Sequence, residues 1–145
     1  MNLNIGIAYS EGEMDFHIMG DNTLSTMSSE GLDHLIKCGH TIVEKIKINA
    51  RTVVSVLDEY CKGTFPYLLT LDIEGYDSKI LESINYNRNC PKVICVESAD
   101  YSTTGSGAKK VDLINYVVNK GYYLYADTNL NSILVHNDFW FSNGQ

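Results

Sequence analysis

The sequence predicts an α/β fold, and three observations carry that prediction. An apolar run at Leu68–Ile73 leads straight into a helix start, a second apolar run at Lys92–Glu97 follows one helix later, and other segments repeat apolar residues at helical spacing. Strand, helix, strand in that order requires a crossover, which makes the two strands parallel and adjacent. Leu68, Leu69, Leu71 and Ile73 have the near-continuous apolar character of a strand covered on both faces. Asp72 and Glu74 lie two apart within this stretch and so share a side at strand period. Gly75 permits a turn, and Asp77 is placed to cap the next helix.

The remaining elements follow in chain order. Leu3, Ile5 and Ile7 alternate with polar or small residues, Ser10–Glu13 turns, and Met14, Phe16 and Ile18 alternate again, which predicts a hairpin. A Ser/Thr-rich loop at 23–29 precedes a short helix, capped by Ser29, with Leu32, Leu35 and Ile36 on one face and a stop near Gly39. Residues 41–48 predict a half-exposed strand, with Ile42, Ile46 and Ile48 on one side, Lys45 and Lys47 on the other, and Glu44 interrupting the apolar side. Thr52 caps a helix whose Val53, Val56, Leu57 and Tyr60 fall on one stripe, ending at Gly63.

After Asp77, Ile80, Leu81 and Ile84 face inward, and Pro91 leads into the second apolar strand. A helix with Val111, Ile114, Val117 and Val118 inward stops at Gly121, and residues 122–126 and 132–136 form an antiparallel pair. Phe139-Trp140-Phe141 is too apolar to leave in water and should pack on the body.

At 145 residues the chain is expected to make one domain over 1–145. A formal net charge of −7 argues against a nucleic-acid surface, which needs a basic cluster on one face. Lys109-Lys110 is the one adjacent basic pair and suits a solvated helix start. Cys38, Cys61, Cys90 and Cys95 show no CxxC spacing, which suits reduced thiols in a cytoplasmic protein. No apolar run approaches a membrane span, and no signal-peptide layout opens the chain, so no membrane partner is expected.

The best candidate chemistry lies at the strand ends. In an open parallel sheet, ligands bind outside the carboxyl ends of the strands, where Asp72, Glu74 and Glu97 fall. Such acids can hydrogen-bond a ligand hydroxyl, act as a general base, or hold a hard cation; equally, they can brace the next helix. Gly105-Ser-Gly107 sits after a strand and before a helix, as a phosphate-cradling loop would, but lacks P-loop spacing. His17, His34, His40 and His136 share no metal-ligand spacing, so no metal is assigned. Tyr123 and Tyr125 suit packing better than base stacking.

Leu71-Asp-Ile-Glu-Gly-Tyr76, the helix through Leu81, and Pro91-Lys-Val-Ile-Cys-Val-Glu97 resemble the FkbM family of S-adenosylmethionine-dependent methyltransferases. Ile5-Gly-Ile-Ala8, the Glu-Gly turn and the Ser-Thr loop extend the resemblance over most of residues 3–125. It implies a class I, Rossmann-like methyltransferase fold: a seven-stranded sheet, flanked by helices, whose last strand inserts antiparallel. The cofactor it implies is S-adenosyl-L-methionine, and the acceptor a hydroxyl on a small molecule or glycan. Asp72 and Glu74 then take catalytic positions, and Glu97, Ser25 and Thr26 the acceptor side.

The family's glycine-rich cofactor loop and its ribose-binding acid have no counterpart in these residues. The expectation is therefore an N-terminally truncated domain, inactive alone, whose Leu68–Ile73 strand has an open edge available for self-association. The alternative function is a non-catalytic binding module that recruits a partner through that edge. A phosphate-binding domain using Gly105–Gly107 is a third.

Overall fold

The computed structural model describes residues 2–73, 75–87, 89–100 and 107–143. It is a mixed α/β protein whose chain divides into two compact units, Met1–Tyr60 with Ile73–Ser83, and Cys61–Asp72 with Ile84–Gln145.

The first unit holds a three-stranded sheet of β1 (Gly6–Ile7), β2 (Gly12–Met19) and β3 (Ile42–Arg51), in the order β1-β3-β2. The hairpin expected between the first two segments does not form. Instead β3 lies between them, parallel to β1 and antiparallel to β2, and both Gly6 and Gly12 are register partners of the fully buried Ala50. Cross-strand charge favours the pairing of β2 with β3. Asp15 of β2 sits between Lys45 (2.7 Å) and Lys47 (2.9 Å) of β3, and opposite charges facing each other stabilise an antiparallel pair. The ribbon runs from Gly12↔Ala50 to Met19↔Ile42, and β3 itself continues three residues beyond its expected end.

The Asp15 contact carries a pH dependence. Hydrogen bonds from Lys45 and then Lys47 hold the Asp15 carboxyl down at about 2, against an ordinary 3.8. A carboxyl depressed by folding contributes stability that is present above its unfolded value and lost as pH falls through the folded one. Asp15→Asn is therefore expected to flatten the acid limb of the stability curve between about pH 4 and 2 and to leave its shape above pH 5 unchanged, as read by urea unfolding across pH.

Helix α1 (Ser29–Lys37) is capped one residue earlier than expected, by Ser28, whose extended backbone lets its Oγ accept from Gly31 N at 3.1 Å. Leu35 is buried, whereas Ile36 is half exposed. Gly39 then takes a φ of +92°, which favours glycine at a helix stop. Thr52 caps α2 (Val53–Cys61) as expected, accepting from Ser55 N at 3.2 Å; Val53 and Leu57 are buried, but Tyr60 faces out. Helix α3 (Asp77–Ser83) buries Ile80 and Leu81. Asp77 is its first residue and not the cap before it, and its Oδ1 accepts from Ile73 N at 3.3 Å.

The second unit is built on a four-stranded sheet of β4 (Leu68–Leu71), β5 (Val93–Glu97), β6 (Tyr122–Asp127) and β7 (Asn131–His136), ordered β4-β5-β7-β6. The parallel pairing of β4 and β5 is as expected, in register from Leu68↔Val93 to Leu71↔Val96. The last strand enters between β5 and β6, antiparallel to both. Ile94, Val96, Leu134, Val117 and Tyr122 form the core of this unit, each essentially fully buried.

Four expectations fail here. β4 lies at the sheet edge, as expected, but is not covered on both faces: Leu68 is 54% exposed, Thr70 is exposed, and the strand ends at Leu71, two residues early. In α4 (Val111–Val118) the buried stripe is Leu113 and Val117, while Val111 and Val118 face solvent. Lys109 and Lys110 are not a free, solvated start; they reach Asp127 (2.7 Å) and Glu97 (3.7 Å). In α5 (Asn137–Asn143), Phe139 stacks on Tyr67 at 5.9 Å and Trp140 meets Tyr123 and Tyr125, as packing requires, but Phe141 remains 70% exposed. No helix among the described residues is long and apolar enough to cross a membrane.

Candidate functional site

The carboxyl end of the parallel pair is where the second unit gathers acids. Asp72 follows β4 directly and is exposed, and Glu97 is the last residue of β5 and half buried. Because Leu71 is the register partner of Val96, the next residues, Asp72 and Glu97, lie at the same end of neighbouring strands. Glu74 lies outside the described residues. The two acids differ in their surroundings: Glu97 faces the Lys110 ammonium, while Asp72 stands in solvent. An exposed carboxylate beside a charge-compensated one is suited to accepting a proton or a hydrogen bond from a hydroxyl.

The loop after β5 is tied at its base. Ser98 and Ser132 are completely buried with their hydroxyls 2.7 Å apart, and Lys110 N donates to Ser98 O at 2.8 Å. Asp100 N donates to Ala108 O at 2.9 Å, and Ala99 bridges Lys109. A Cβ at Gly107 would run into the Asp100 carbonyl, so close backbone approach accounts for that glycine. Gly105 and Ser106, the rest of the phosphate-loop expectation, lie outside the described residues.

Ser25 and Thr26 belong to the first unit, and their hydroxyls are engaged in shaping its loop. Ser25 Oγ accepts from Met19 N at 3.2 Å; Thr26 is buried, with its Oγ1 accepting from Ser28 N at 2.9 Å and its backbone paired to His17.

Sequence reasoning missed the two lysines of the acidic end. Lys109 donates to Asp127 and also to Asn129 O at 3.0 Å, and Lys109 is the largest of the causes that lower the Asp127 carboxyl. The available signal was a basic pair immediately before a helix that follows a strand ending in an acid. Cys38 Sγ lies 3.7 Å from His34 Nε2 on the exposed side of α1. Among the described residues no group of three or more His, Cys, Asp or Glu side chains is placed to hold a metal ion.

Parallel strands ending in acids, with a late antiparallel strand beside them, define a mixed α/β protein. The chain belongs to the methyltransferase FkbM domain family, whose model matches residues 1–129. That match stops short of β7, the strand at the centre of the second sheet. No curated protein and no solved structure matches the chain.

Proposed function

We propose that the chain is the acceptor side of an S-adenosylmethionine-dependent O-methyltransferase of FkbM type with a class I fold. The observation that carries this is the β4-β5-β7-β6 order, with acids at the carboxyl ends of the parallel pair. S-adenosylmethionine supplies a methyl group on a positively charged sulfur, and carboxylates at a sheet end suit both that charge and a hydroxyl acceptor. Asp72, with Glu74 beside it in sequence, takes the proton of the acceptor hydroxyl. Glu97, held by Lys110, orients the acceptor. Most of the rate comes from alignment of the two reactants, and proton removal assists. The acceptor is a small molecule or a glycan.

Self-association along the outer edge of β4 rebuilds a donor pocket from residues other than the family's glycine-rich loop and ribose-binding acid, which no copy of this sequence carries. Calorimetric titration of S-adenosylmethionine into the folded 145-residue chain is expected to show saturable binding whose apparent affinity rises with protein concentration. No binding at any concentration by a chain that circular dichroism shows to be folded would overturn the reading. A second reading, a non-catalytic module that recruits a partner through β4, is favoured by the exposure of Tyr67 (73%) and Leu68 (54%) at that edge. It predicts association without cofactor binding, abolished by Leu68→Lys.

A further inference from the structure

A cavity of about 370 Å³ opens at the end of the second unit's sheet opposite the acids. Its wall includes Phe65, Tyr67, Tyr86, Lys92, His136 and Asp138. Tyr67 immediately precedes β4, Lys92 immediately precedes β5, and His136 ends the antiparallel β7, so all three mark the same sheet end. The step along the strand from Tyr67 to Asp72 spans about 17 Å at strand rise. The cavity is thus distinct from the methyl-transfer end, and binding there is independent of whether the acids serve methyl transfer.

The cavity is preformed by main-chain ties. Tyr67 O accepts from both Lys92 N (2.9 Å) and Val93 N (2.8 Å), and Lys92 O accepts from His136 N (2.9 Å). Asn89 holds the opposite wall, accepting from Phe65 N at 3.3 Å and donating to Gly63 O. Phe139 stacks behind Tyr67, and the buried Tyr122 ring meets both Tyr86 and His136 edge-on. A volume in this range with aromatic walls and a few polar groups is that of a small-molecule site.

The polar groups define the ligand. Lys92 makes no ion pair among the described residues. An unpaired ammonium in a cavity wall suits an anion. Asp138, in the first turn of α5, adds a negative charge at the rim and disfavours a dianion such as phosphate. Phe65, Tyr67 and Tyr86 offer ring surface for stacking.

We infer that this cavity binds a one- or two-ring aromatic monocarboxylate, its ring against Phe65, Tyr67 and Tyr86, its carboxylate on Lys92, and the His136 ring in the adjoining wall. The test is a fluorescence and NMR titration of the full chain with 1-naphthoate, 1-naphthalenemethanol, 1-naphthylmethylamine and inorganic phosphate. Saturable binding of naphthoate, tenfold or more tighter than the alcohol, is expected, with shifts of the His136 ring resonances and no binding of amine or phosphate. Lys92→Gln should weaken naphthoate at least tenfold and leave the alcohol unchanged, while Lys92→Arg retains the preference. Equal affinity for acid and alcohol, unmoved His136 resonances, or indifference to Lys92→Gln in a folded variant would overturn the assignment.

Discussion

Gly75→Ala is expected to destabilise the chain by about 3 kcal/mol or more, combining backbone strain with overpacking against a buried neighbour. Gly75 has a φ of +102°, where a side chain is strained whatever space it finds. Space is lacking as well: a Cβ there would lie 2.7 Å from Ser28 Oγ and 2.8 Å from Ser28 Cβ. Ser28 is 1% exposed and caps α1, so it cannot retreat without loosening that helix start. Gly39 is the internal comparison, with a φ of +92° and nothing within 4 Å of an added Cβ. Gly39→Ala carries the strain alone, about 1 kcal/mol. Urea unfolding of both variants separates the two contributions, and equal losses would remove the Ser28 contact as the cause.

The second large effect concerns chemistry. In the active assembly, Asp72→Asn is expected to lower methyl transfer by about 10²-fold or more, the scale of a lost general base. Because Asp72 is exposed beyond the end of β4, the same change should alter stability by no more than about 0.5 kcal/mol. Its effect on S-adenosylmethionine affinity should be slight. The measurement is the rate of S-adenosylhomocysteine formation with a hydroxyl acceptor present. Unchanged turnover would show that Asp72 is not the base.

The elements of the second unit were legible where a local pattern and its packing agree. The crossover spacing between Leu68 and Glu97 specifies parallel neighbours, and the two short runs at 122–126 and 132–136 specify an antiparallel pair. The pairing of β1 and β2 with β3 was not legible as a hairpin rule, because it rests on long-range partners, the charge match of Asp15 with Lys45 and Lys47 among them, that a local turn signal does not show. Burial at β4 was misjudged because apolar composition does not reveal how far a strand's faces are covered, whereas the open edge that the family resemblance implied is present, β4 pairing with β5 alone among the described residues. At the candidate site, the positions of Asp72 and Glu97 followed from strand period, whereas the pairing of Glu97 with Lys110 depends on a loop returning over the sheet end. The cavity at the other end could not be read at all, since Tyr67, Lys92 and His136 come together only through register.

The placement of β7 has a consequence for how the chain is made. Residues 131–136 leave the ribosome after both of the strands they join, yet they form the only described link between β5 and β6. Until they emerge, β6 has no strand to pair with, Ile94 lacks its partner Leu134, and Val96 lacks its partner Ser132. The second unit therefore cannot close its sheet during the synthesis of its first three strands, and a nascent chain stalled before Asn131 exposes strand edges on both sides of the gap.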